Sequence, residues 1–537
     1  MDELSIENHS PISMDELSFG SLCLVAMATL ALALALMVVM GAHRRGGEKG
    51  ATTGAKNLPP GPWNLPVTGS LHHLLGASPP PHRALLRLSR RHGPLMLVRL
   101  GEVPTVIVSG SDAAMEGWVL KAHDPAFADR ARSTTVDAVS FGGKGIIFAP
   151  YGEHWRQARR VCLAELLSAR QVRRLESIRQ EEVSRLVGSI AGSSNAAAVD
   201  MTRALAALTN DVIARAVFGG KCARQEEYLR ELGVLTALVA GFSMADLFPS
   251  SRVVRWLSRR TERRLRRSHA QMARIVGSII EERKEKKASD DGVGAKDEDD
   301  DLLGVLLRLQ EEDSLTSPLT AEVIGALVID IFGAATDTTA STLEWVMVEL
   351  MRNPRAMEKA QQEVRNTLGH EKGKLIGTDI SELHYLRDLT AASLFCTNST
   401  TEQGNCRVMG YDIPQATPVL INTFAVARDA KYWDNAEEFK PERFENSGAD
   451  IRTSTAHLGF VPFGAGCRQC PGALFATTTL ELTLANLLYH FDWALPDGVS
   501  PESLDMSEVM GITLHRSSSL HLHATLSRLG FVSHSGQ

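Results

Sequence analysis

Cys470 stands in the run Phe463-Gly464-Ala465-Gly466-Cys467-Arg468-Gln469-Cys470-Pro471-Gly472, whose residue types suit the binding of a metal through sulfur. A thiolate ligand needs positive potential and hydrogen-bond donors close by. Glycines let backbone N–H groups approach the sulfur. Arg468 adds charge, and the helical pattern that follows adds the partial positive charge of its amino-terminal end. Cys467 and Cys470 also form a Cys-x-x-Cys pair, which leaves open a redox pair, half of a zinc site, or two buried structural thiols. A redox pair would sit in a βαβ context, and zinc would need further ligands at suitable spacing.

Three other segments carry groups that could act with this loop. In Trp155-Arg156-Gln157-Ala158-Arg159, positions 155 and 159 share one helix face, so both side chains can point at one ligand. An amphipathic helix with a basic face is the alternative. Ala334-Ala335-Thr336-Asp337-Thr338-Thr339 lies in the middle of a long helical pattern, where an Asp is costly unless it serves water or a polar partner. A polar helix face is the bland explanation there. The last segment is Phe439-Lys440-Pro441-Glu442-Arg443-Phe444.

Together these segments resemble the cytochrome P450 superfamily and, with Tyr151-Gly152-Glu153, its plant microsomal (A-type) members, over roughly Leu58 to Leu526. Phe463, Gly466, Arg468, Cys470 and Gly472 match every fixed position of the family's Phe-x-x-Gly-x-Arg-x-Cys-x-Gly loop. The resemblance implies that Cys470, not Cys467, is the axial ligand of a haem b iron, and that Phe463 packs beside the iron–sulfur bond. It also implies that Arg468, Trp155 and Arg159 meet the haem propionates. Asp337 and Thr338 match the family's acid–alcohol pair, which positions water and handles the protons that dioxygen takes up. Ala335 replaces the family's usual Gly, a difference of one methyl. The implied function is that of a haem-thiolate monooxygenase, which inserts one atom of O2 into an apolar small molecule of plant specialised metabolism. Its electrons would come from NADPH-cytochrome P450 reductase in the same membrane.

One element of the family pattern is missing. Arg443 matches the Arg that completes a buried ion triad with a Glu-x-x-Arg helix, yet the chain reads Arg387-Asp388-Leu389-Thr390-Ala391-Ala392-Ser393-Leu394-Phe395-Cys396-Thr397-Asn398. Leaving Arg443 without those partners would cost about 3–5 kcal/mol. An inactive relative or a mis-spliced gene model lacking this helix is therefore an alternative. A haem-thiolate isomerase or dehydratase is another, against which Thr338 and the uninterrupted cysteine loop argue.

These segments must be held by a large body. The 537 residues are 44% hydrophobic and 22% charged, ample for a sizeable core. A net charge of -6 and pI near 6.3 give no general attraction for polyanions, so no nucleic-acid partner is expected. Seven scattered cysteines do not make the dense framework of a small secreted domain. The expected fold is mainly α with small β-sheets, the cytochrome P450 fold, preceded by a transmembrane helix. Residues 1–18 form a lumenal tail and 19–42 a charge-free anchor long enough to span a bilayer. Residues 43–80 form a linker and Pro-rich hinge, and 81–537 the haem-thiolate domain. Arg44, Arg45, Lys49 and Lys56 follow the span, which places the body on the cytosolic side of the endoplasmic reticulum membrane. Met-Asp-Glu-Leu-Ser occurs at both 1–5 and 14–18, so Met14 is a second candidate start.

Periodicity predicts helices over 84–91, 170–190, 224–240, 252–286, 320–351 and 473–489, with strands near 95–100, 105–109, 418–421 and 519–524. Lys284 to Asp301 is expected to be a charged loop. Gly143 to Phe148 and Leu235 to Phe248 are candidate pocket walls.

Overall fold

The computed structural model describes residues 57–74, 80–115, 127–130, 133–193, 198–220, 224–239, 243–289, 301–313, 315–369, 377–393, 399–445, 459–511 and 513–527. The expected tail and anchor lie outside the described residues. The helices that frame the site are α1 (Pro81–His92), α2 (Glu153–Val161), α3 (Glu176–Ser193), α4 (Met201–Phe218), α5 (Gln225–Val239) and α6 (Arg252–Ser289). They continue with α7 (Ala321–Arg352), α8 (Pro354–Leu368), α9 (His384–Ser393) and α10 (Ala473–His490). The strands are β1 (Leu95–Leu100), β2 (Val103–Val108), β3 (Val199–Asp200), β4 (Ser399–Val408), β5 (Tyr411–Asn422), β6 (Phe491–Ala494), β7 (Glu508–Met510), β8 (Leu514–Arg516) and β9 (His521–Leu526).

Local chemistry explains most boundaries. α1 opens with Pro81, whose missing N–H costs nothing in a first turn, and stops at Gly93 with φ +103°. Asp200 caps α4 by accepting from Arg203 N at 3.0 Å, and Gly219 ends it in the left-handed conformation. α6 runs to Ser289, taking in the first six residues of the stretch expected as a loop. Lys284 and Glu285 are good helix formers, and Lys284 pairs with Glu281 at 3.5 Å.

α7 passes through the centre of the body. It is long and apolar enough to cross a membrane, but α4, α6, α8, α9 and α10 pack around it, and Ile324, Leu327, Phe332, Leu343 and Val346 are buried in the main core. α10 lies against it and is buried on nearly every side. Its polar residues are tolerated because they bond back along the helix: Thr477, Thr479 and Thr483 hydroxyls donate to the carbonyls of Ala473, Phe475 and Thr479.

The largest sheet has the order β1-β2-β5-β4, with β2 and β5 parallel and the other pairs antiparallel. β3-β9-β6 and the β7-β8 hairpin are smaller. The described part of the Pro-rich segment is laid onto the large sheet. Asp412 N donates to Asn57 O at 2.7 Å, and Leu97 N donates to Pro60 O at 2.8 Å. A Cβ on Gly61 would meet Leu97 O at 2.0 Å, so only glycine permits this approach.

α9 is the helix expected to carry Glu-x-x-Arg. Its Ala392 and Ser393 line a small cleft of about 50 Å³ together with Trp345, Glu349, Arg428 and Arg443. Arg443 is not stranded there. Its guanidinium donates to the carbonyls of Lys440 (3.1 Å), Asn435 (3.1 Å) and Glu438, and lies 5.7 Å from the Trp433 ring centroid. Backbone carbonyls thus accept from the guanidinium through charge-assisted bonds, the donor being ionised. Burial and the neighbouring Arg428 together pull Arg443 below the usual guanidinium range.

A carboxylate placed in this cleft should therefore be stabilising. Ala392→Glu is expected to raise Tm by about 1 °C, the size of a gain of about 1 kcal/mol in a domain of this length. An unchanged or lower Tm in a thermal melt would count against the cleft as the place of the missing charge.

Candidate functional site

The cysteine loop is shaped by its glycines. Gly464 (φ +69°) and Gly466 (φ +72°) occupy the left-handed region, which other residues enter only with strain. Cys470 N donates to Phe463 O at 2.8 Å and Gln469 N to Gly466 O at 3.1 Å, which closes the loop just ahead of α10. Cys470 lies deep in the protein, yet its side chain keeps accessible surface. Burial raises the thiol's pKa, while the Gly472 N–H and the Arg159 charge oppose that rise. A metal cation would tip this balance to thiolate. Cys162, by contrast, is fully buried and pushed up to about 12, as suits an inert structural thiol.

The structure brings Trp155, Arg159 and Arg468 together beside this loop. Trp155 and Arg159 come from one face of α2, as their spacing predicts. The Arg468 guanidinium lies 4.2 Å from the Trp155 ring centroid and that of Arg159 lies 5.6 Å from it. Arg468 donates to the carbonyls of Ala128 (2.8 Å), Ile146 (3.2 Å) and Ala149 (2.7 Å), and Arg159 Nη2 donates to Gln469 O at 2.6 Å. Two guanidinium groups converging on one indole suit a ligand with carboxylates, which guanidinium forks bind in bidentate fashion. An accessible thiol, a donor N–H at the start of a helix and two cations form a donor set that fits an iron porphyrin bearing propionates.

On α7 the acid and the alcohol point different ways. Ala334 and Thr338 are exposed one turn apart on a helix otherwise largely buried, and Thr338 Oγ1 donates to Ala334 O at 2.8 Å. Asp337 turns toward β8. Its Oδ2 accepts from Thr513 Oγ1 at 2.5 Å, and its Oδ1 lies 3.3 Å from His515 Nε2. Burial pushes the Asp337 carboxyl up, but the bonds from His515 and Thr513 outweigh it and hold the group below the usual carboxylate range. The bond to Asp337 raises His515 against its own burial, with Asp337 and Glu344 adding to the rise. Thr513 and His515 carry no sequence signal, being two polar residues near the end of the chain with no motif around them.

Of the candidate walls, Gly143 and Lys144 line an open cleft of about 640 Å³ with Tyr151, His154 and Glu322. Leu247 and Phe248 pack instead with Leu71, Leu85 and Met96 in the cluster beneath the large sheet.

The His515–Asp337 pair fixes a pH dependence. His515 titrates above 6.5 in the fold, so its contribution is complete below pH 6.5 and fades as pH rises through the raised value. Asp337 titrates below 3.8, so its contribution is complete above pH 3.8 and fades only in stronger acid. The Tm difference between the parent chain and His515→Ala should be largest between these two values and shrink toward alkaline pH. A difference that grows with pH across the alkaline side would refute the pairing.

Residues 59–522 match the family described as cytochrome P450. The chain is 44% identical to zealexin A1 synthase of Zea mays over 487 residues, which is 88% of this chain and 94% of the relative. It is 45% identical to dolabradiene monooxygenase of Zea mays over 478 residues, covering 87% and 92% respectively. It is 43% identical to ent-cassadiene hydroxylase of Oryza sativa subsp. japonica over 478 residues, covering 87% and 91%. In structure it is similar to a zebra fish cytochrome P450 solved with abiraterone, with a TM-score of 0.70 at 24% identity, over 84% of this chain and 99% of that one. That likeness bears on the fold, which agrees with the helices and small sheets described above. By the extent of the match and by these relatives, the chain belongs to the cytochrome P450 family, whose enzymes are haem-iron oxidoreductases.

Proposed function

We propose that this chain is a plant haem-thiolate monooxygenase that places one atom of O2 into an apolar terpenoid hydrocarbon. The observation that carries the proposal is Cys470, a deep but accessible sulfur with the Gly472 N–H and the Arg159 charge beside it. The substrate class follows the names of two relatives, a dolabradiene monooxygenase and an ent-cassadiene hydroxylase. Electrons would come from NADPH-cytochrome P450 reductase, and residues 19–42 would tether the body in the endoplasmic reticulum membrane as a single pass.

When bound, haem b with a thiolate ligand supplies the activation of dioxygen, the thiolate's electron donation favouring O–O cleavage. The chain's own residues bind and move protons around it. Cys470 Sγ would ligate the iron, while Arg468, Arg159 and Trp155 would hold the propionates. His515, the more exposed of the two, can take up a proton from water and hold it on Nε2, 3.3 Å from the Asp337 Oδ1 that stays charged beside it. Thr338 Oγ1 lies on the open stripe of α7, where it can orient a water. An inactive relative is the second reading, and the observation that favours it is that His384–Ser393 carries no Glu-x-x-Arg in the family's place.

The two readings separate on a reduced carbon monoxide difference spectrum of the purified full chain. The family's red-shifted Soret band is expected, kept by Cys467→Ser and lost by Cys470→Ala. A chain that takes up no haem would overturn the monooxygenase reading.

A further inference from the structure

Asp330 lies on α7 about two turns before Asp337 and takes no part in the proton path described above. Its carboxylate is deep in the protein, and Oδ2 accepts from two successive backbone N–H groups, Ile146 at 2.7 Å and Ile147 at 3.0 Å. Burial pushes it up to about 6, against the pull of those two amides. The neighbours that feel its charge, Cys162 and Tyr228, are neutral groups raised by their own burial and by Asp330. An acid held this way is less stable than an apolar residue of the same size would be. Such a break with local economy marks a position kept for what it orients.

What it orients is one peptide segment. The Ile146 carbonyl accepts from Trp155 Nε1 at 3.0 Å and Arg468 Nη1 at 3.2 Å, and the Ala149 carbonyl accepts from Arg468 Nη2 at 2.7 Å. The Ile147 carbonyl accepts from Arg130 Nε at 3.1 Å. The amide edge of this segment is therefore fixed to α7 and its carbonyl edge to the indole and guanidinium groups beside the cysteine loop. Gly145 completes the fit, since a Cβ there would lie 2.2 Å from Asp330 Oδ2.

We propose that Asp330 is a positioning residue: it clamps the Gly145–Ile147 backbone to the central helix and, through the Ile146 carbonyl, sets the placement of Trp155 and Arg468. The clamp stands on its own geometry. Its service to the cofactor rests on the haem reading given above.

Hydrogen exchange by mass spectrometry on the detergent-solubilised full chain tests the clamp without any haem. Asp330→Ala should speed exchange in peptides spanning 143–149 by about tenfold or more, the loss of two bonds to a charged acceptor, while peptides of α10 stay protected. Asp330→Asn, which keeps an acceptor oxygen, should stay near the parent rate. Gly145→Ala, which crowds the carboxylate from the other side, should reproduce the Asp330→Ala pattern, and it decides the matter if Asp330→Ala loosens the whole fold. Unchanged exchange at 143–149 in both variants would overturn the proposal. Hemin titration then reads the second half: affinity should fall about tenfold in Asp330→Ala and recover in Asp330→Asn, as for other supporting contacts of a cofactor site. Faster exchange with unchanged hemin affinity would overturn the positioning role. If the parent chain binds no hemin, the haem reading fails while the exchange result still decides the clamp.

Discussion

A sulfur atom must sit deep inside the protein and still stay open on one side. Burial alone drives a thiol toward its neutral form, as Cys162 shows. The surroundings of Cys470 answer this with a backbone N–H from the turn into α10 and with the charge of Arg159 from a helix more than three hundred positions earlier in the chain. α10 must then be buried on nearly all sides so that its first turn stays in place, and α7 must run beside it so that Thr338 faces open space. The sheets and outer helices close the core around that pair.

What could be recognised before folding was whatever lies in one contiguous stretch. The loop from Phe463 to Gly472 carries its glycines, cation and thiol within ten residues, and the Trp155–Arg159 pair needs only helical spacing. Helix positions followed from apolar periodicity, and α7 and α10 match it within a residue or two at either end. The partners of Asp337 were not legible, because Thr513 and His515 reach it from 176 and 178 positions away across a hairpin. Nor was the part played by Ile146, whose contribution is a peptide group and leaves no trace in side-chain type.

Arg443 shows a different limit. Side-chain identities gave the expectation of an uncompensated cation, since the matching carboxylate is missing from α9. The fold answers with backbone carbonyls, which any sequence can provide once the loop from Asn435 to Lys440 curls around the guanidinium. Burial first and then the field of Arg428 leave the cation less favoured than it would be in water, against the opposing charge of Glu438.

The last hairpin is more than a covering for the core. Ser341 Oγ and Trp345 Nε1 both donate to the Leu514 carbonyl, and Thr513 and His515 flank that residue to hold Asp337. A stop codon between positions 473 and 512 would leave every recognisable family motif in the product, from the Trp155 helix to the cysteine loop. It would nonetheless strip the central helix of the groups that keep its half-buried Asp337 charged. For this chain, the reading frame matters at least as far as His515.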